Sequence, residues 1–135
     1  MNLDCIAQVL IENNLATAQG VDIFQHHIPD TVAQGLLLKL PMDGIPINHY
    51  MIGFFKGRFQ VIQRSKNHAF GDTQSLLINS ALTFYEREFT DDTGAMLMRV
   101  LNCYPSTLPI VYPRTKGNEY EWSCNFICHY IMPTA

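Results

Sequence analysis

Charged residues are scarce in this chain. They make up 16% of its 135 residues, and 12 acidic against 9 basic side chains leave a formal charge of −3. A domain that holds nucleic acid by bulk electrostatics carries a basic face, so this balance argues against that class and leaves room only for a small basic patch. There is no run of about 20 apolar residues, the length that spans a bilayer. The opening stretch MNLDCIAQVLIENN lacks the basic start of a secretory signal and carries Asp4 and Glu12. The expectation is a protein made and kept in a cytoplasm, where its four cysteines remain thiols rather than disulfides. No repeat and no low-complexity tract interrupts the sequence.

Catalytic signatures are missing as well. The glycines of DGIPINHYMIG have neither Walker nor dinucleotide spacing. There is no G-x-S-x-G, and Ser65, Ser75, Ser80, Ser106 and Ser123 have no linked base. Asp91 and Asp92 sit beside Gly94 without the spaced oxygens of a calcium loop, which reads as a solvated turn. In HHIPD, the adjacent His26 and His27 face opposite ways on a strand, so they do not chelate together. Metal binding there would need His49 or His68, and nothing in the sequence brings either close.

What the chain does have is apolar substance: 47% hydrophobic and 11% aromatic residues. At this length about 68% of the unfolded surface can be buried, enough for a core without staples, and one domain over residues 1–135 is expected. Leu3, Ile6, Ala7 and Leu10 recur at helical spacing and predict a helix over 2–13. Residues 21–30, closed by Pro29, and 34–41 read as short strands. Residues 58–66 read as a strand with Phe59 and Val61 on one face and Arg58, Gln60, Ile62 and Arg64 on the other. A second helix is predicted over 68–86, capped by Asn67, weakened early by Gly71, with a stripe of Phe70, Leu77, Ala81 and Phe84. A turn at 90–94, a strand at 96–104 and an extended edge segment at 106–114 follow, the last with Pro109 and Pro113.

The strongest pattern is at 118–131. Tyr120, Trp122, Cys124, Phe126, Cys128 and Tyr130 alternate with Glu121, Ser123 and Asn125, which is strand periodicity. On a strand Cys124 and Cys128 share a face but lie about 13 Å apart at 3.3 Å per residue. One metal cannot take both thiolates at about 2.3 Å. His129 points the other way. These cysteines therefore read as small buried hydrophobes.

With no catalytic or metal site and no cofactor site indicated, surfaces become the candidates for function. Residues 42–57 gather Met42, Ile45, Ile47, Tyr50, Met51, Ile52, Phe54 and Phe55 in a stretch that reads as a protruding loop or long β-arm. Apolar side chains on a projecting element suggest a partner surface; the alternative is an arm folded back on its own core. The basic spots Lys56–Arg58, Arg64–Lys66 and Arg114 with Lys116 read as a solvated face or a patch for an acidic partner.

The order helix, two short strands, arm, strand, helix, run of strands resembles the tail terminator proteins of long-tailed bacteriophages, also described as tail completion or minor capsid proteins. The likeness is carried by GFFKGRFQVIQRSKN, by HAFGDTQSLLINSALTF and by LPIVYPRTKGNEYEWSCNFICHYI, and spans about residues 3–132. It implies an α/β (α+β) fold, a mixed or mostly antiparallel sheet packed by two helices. It also implies a structural virion protein rather than an enzyme: a homo-hexameric ring, assembled in the bacterial host cytoplasm, that caps the head-proximal end of the tail tube and stops its growth. Its partners would be the tube protein and the head–tail connector, with DNA passing through the lumen without sequence-specific binding and no membrane involved. A six-fold ring needs heterologous contacts, in which one patch meets a different patch on the neighbour. Tyr50, Phe54, Phe55 and Lys56 are the expected tube- or neighbour-contacting residues, and Arg64, Arg114 and Lys116 the expected interfacial ion-pair partners. Changing Phe54 and Phe55 to serine should then abolish assembly and leave the monomer folded. Competing readings are another neck protein one layer higher, such as a head-completion or head–tail joining protein; a small thiol or metal enzyme using Cys5, Cys103 or a histidine; and a host-encoded binding module.

Overall fold

The computed structural model describes residues 1–113 and 118–133. Asn2 accepts a hydrogen bond from the Asp4 backbone N–H and opens α1 (Leu3–Glu12), whose Leu3, Cys5, Ile6, Ala7, Val9 and Leu10 are buried. Among the described residues seven strands and one further helix follow: β1 (Ile23–Gln25), β2 (Gly35–Lys39), β3 (Phe54–Ser65), α2 (His68–Ala81), β4 (Phe84–Thr90), β5 (Met96–Pro105), β6 (Ile110–Pro113) and β7 (Tyr120–Ile131).

The strands form one curled sheet in the order β1-β2-β3-β7-β5-β4, with β6 also on β7. Among the described residues only the β1–β2 pair of strands is parallel. This is the expected α+β fold, a mixed and mostly antiparallel sheet with two helices. β7 is its spine. Along one edge it pairs with β3 from Tyr120 to Ile131. Along the other, Phe126–Ile131 pair with β5 and Tyr120–Ser123 with β6.

Alternation on β7 sorts its side chains as predicted: Trp122, Cys124, Phe126, Cys128 and Tyr130 are all buried. Opposite them, β3 turns Phe59 and Val61 inward, and the Phe59 and Phe126 rings stack at 5.1 Å. Leu36 and Leu38 of β2 and the buried face of α1 join this main core. The reverse side of the sheet has a smaller core. There Ile28, Leu37 and Ile62 pack together with Phe24 and Val32, so residues 26–34 cover part of that face.

Four expectations need correction. The strand foreseen over 21–30 shrinks to three residues; His26 follows it with φ 65°, a conformation that ends an extended run. The helix foreseen over 68–86 ends at Ala81, and Phe84 belongs to β4. The buried face of α2 consists of Gly71, Ser75, Ile78 and Asn79, whereas Phe70 and Leu77 are exposed. Gly71 is there for contact with β7: a Cβ on it would lie 2.1 Å from the Trp122 ring.

Candidate assembly surface

The connection between β2 and β3 carries no regular structure from Leu40 to Gly53. Its root is pinned. Ile45 packs against the main core and approaches the position a Cβ on Gly57 would take. Gly44 and Gly53 adopt positive φ, and the Gly53 carbonyl accepts from Met132 N–H. The tip is held by Asn48, whose Oδ1 accepts from the backbone N–H of Tyr50 at 2.9 Å and of Met51 at 3.2 Å. Between these fixed points Met42, Ile47, Tyr50, Met51 and Ile52 point into solvent, Tyr50 at 98% exposure and Ile52 at 81%. Against the loop lies an open apolar groove of about 460 Å³, lined by Ile47, Ile52, Phe54, Phe55, Met132 and Pro133 among others.

The expected contact residues separate here. Tyr50 is at the exposed tip. Phe54 and Phe55 open β3 instead of lying in the loop, and as strand neighbours they face opposite sides. Phe55 stacks on Tyr130 at 5.4 Å and packs against the main core, while Phe54 stacks on His129 at 6.3 Å on the reverse face. The double serine exchange is therefore not a clean surface change, because one of its two rings supports the core. Lys56 is exposed on the reverse face, beside Arg58, which pairs with Asp43 at 3.8 Å.

Arg64 leaves the set of candidate interface cations. Its guanidinium is buried and fully engaged within the chain: Nη2 and Nε each lie 3.2 Å from Glu121 Oε2, and Nη1 donates to the Pro29 and Val32 carbonyls at 3.0 and 3.1 Å. Segment 26–34 covers it, which the alternation of β3 alone did not foretell. Arg114 and Lys116 lie outside the described residues.

A second group of exposed apolar residues lies on an edge strand and on the face near the second helix, the two places expected to accept a neighbour's arm, though none of these residues was singled out as a contact in the sequence. Leu108, Ile110, Val111 and Tyr112 line β6 and its approach, and Phe70, Leu76 and Leu77 lie on the outer side of α2. The signal was present in STLPIVYP, an apolar run bounded by prolines. β6 pairs with β7 alone, so its other edge has no strand partner among the described residues.

The chemical candidates are placed unfavourably for catalysis. All four cysteines are buried free thiols. Burial pushes Cys5 up to about 11 and Cys124 up to about 12, and the neighbouring Cys128 thiol together with burial pushes Cys103 upward. Thiols so shifted stay protonated near neutrality and are poor nucleophiles. Among the described residues no three of His, Cys, Asp and Glu come together as a metal-binding group, and no helix is long and apolar enough to cross a membrane.

The sequence model of a family described as bacteriophage tail terminator protein matches residues 10–131. The chain belongs to the bacteriophage tail terminator family. No curated protein matches it. The match runs from the end of α1 to the last residue of β7, so it takes in the loop, both sheet edges and the β6 surface. Family membership makes this tail terminator a structural component of the phage tail.

Proposed function

We propose that this tail terminator closes into a homo-hexameric ring that caps the head-proximal end of the tail tube, halts its polymerisation and presents the docking face for the head connector. The observation that carries the reading is the loop from Leu40 to Gly53, anchored at its root by Ile45 and exposing Met42, Ile47, Tyr50 and Ile52. Large apolar side chains held out on an anchored element gain most by burial against a partner. A ring also needs two different patches per copy, and the exposed apolar residues of β6 and α2 supply a second one.

The test is to mix purified protein with uncapped tail tubes and image the ends by electron microscopy. The expected outcome is ring density at one end only, with growth arrested. Ile47→Ser with Tyr50→Ser should abolish the density while shifting Tm by little, since both side chains are largely exposed. Binding to connector-bearing heads instead of tube ends would make the protein a neck component one layer higher.

A further inference from the structure

β5 carries one residue more than the stretch of β7 it pairs with. Val100 faces Tyr130, yet Asn102 already faces His129, so Leu101 is left over. Such a bulge reverses which side of a strand points inward. Before it, Met98 and Val100 are buried; after it, Cys103 is, at 0% exposure. Turned inward, Cys103 lies directly opposite Cys128, which is also fully buried, and the Cys128 thiol is close enough to push Cys103 upward. Directly opposed residues on antiparallel strands have Cα atoms about 4.5–5.5 Å apart. A disulfide accepts about 4.4–6.8 Å, so the register already meets its requirement. The remaining cysteines are engaged elsewhere: Cys124 faces Val61 across the ladder and directs its thiol to the Ser75 carbonyl at 3.9 Å, and Cys5 sits on α1.

The geometry points to Cys103 and Cys128 as a disulfide site, a dithiol under reducing conditions that a small-molecule disulfide converts to a cross-strand bond. One cysteine, as thiolate, attacks a sulfur of the small disulfide, forms a mixed disulfide and expels one small thiolate. The second cysteine then attacks the protein sulfur of that mixed disulfide and expels the other. Two S–H bonds of the protein are lost, one S–S bond forms, and two electrons and two protons end on the two small thiols. The neighbouring Cys128 and burial push the Cys103 thiol upward, so closure is slow near neutrality and faster as pH rises. A phage tail component leaves a reducing cell interior for oxidising surroundings, which is where the bond would form. The chemistry itself is independent of what the protein caps.

The test uses the folded wild-type protein incubated with oxidised glutathione at about pH 8.5, where free thiols are half ionised. After quenching, the protein is unfolded, alkylated and mapped by mass spectrometry. Two alkylated cysteines, Cys5 and Cys124, a cross-linked peptide joining Cys103 to Cys128, and a Tm above that of the reduced protein are expected. Cys124→Ala should form the same cross-link. Four alkylated cysteines, a lasting glutathione adduct on either residue, or a bond that involves Cys5 or Cys124 would overturn the assignment. So would cross-linking seen only when the oxidation is done in denaturant.

Discussion

Gly71 carries no side chain, and the Trp122 ring occupies the space where one would sit. The same ring donates Nε1–H to Asp72 Oδ1 at 2.7 Å, so the first turn of α2 is fastened to β7 by a contact and a hydrogen bond at once. Gly71→Ala should therefore destabilise by about 1–3 kcal/mol through overpacking, although alanine is the better helix former by about 1 kcal/mol. Chemical denaturation decides between the two effects: a gain in stability would mean that the indole yields. Arg64 offers a second residue-level test. Arg64→Ala leaves the Glu121 carboxylate half-buried without its cation and two carbonyls without their donor, at an expected cost of about 3–5 kcal/mol. A change below about 0.5 kcal/mol in the same assay would show that water replaces the guanidinium. Neither role was legible in the sequence. A glycine near a helix start reads as a weak turn, and an arginine on the reverse side of a strand reads as solvated, because what covers each is distant in sequence.

Elements were legible where their periodicity was unbroken. β7 alternates over its whole length and was read correctly, as was α1, whose apolar residues keep helical spacing. β4 fails both templates for a local reason. Glu86 adopts φ 50° within it, and Phe84 packs against the core alongside Phe89, five residues on, which uninterrupted alternation forbids. Its first residues were therefore absorbed into the preceding helix. α2 misled in a different way, since its inner face uses Gly71, Ser75 and Asn79 while apolar side chains are left outside. The join between α1 and β4 yields a pH prediction. The hydrogen bonds from Arg87 and then Gln8 hold the Glu12 carboxyl below its ordinary 4.5. A carboxyl lowered on folding stabilises above its unfolded value and loses that contribution as pH falls through its folded one. Wild type should thus lose Tm more steeply than Glu12→Gln as pH drops below 4.5. Parallel Tm–pH profiles would mean that the exposed pair contributes nothing.

For the whole molecule, the mixed sheet was legible, and so was the family. The two-sided covering of the sheet was not, because segment 26–34 has no periodicity to announce that Ile28 and Val32 pack on Leu37 and Ile62. Net charge gives a prediction at this scale. With −3 overall and Arg64 withdrawn into an ion pair, duplex DNA should not be retarded in a gel at micromolar protein and physiological salt. A tight, salt-sensitive complex would place an organised basic surface on the protein and overturn the expectation that DNA passes it without being bound.

β7 emerges from the ribosome after every strand it joins. Until it does, β1-β2-β3 and β4-β5 are two unconnected ribbons, each with an open edge where β7 will lie. Neither ribbon can close its hydrophobic side alone, so the arrival of β7 is the step that commits these strands to their fold. A polypeptide cut short before Tyr120 would be a substrate for chaperones and proteases rather than a defective building block, and an assembly line that tolerates no faulty subunit would gain a filter at the moment of translation.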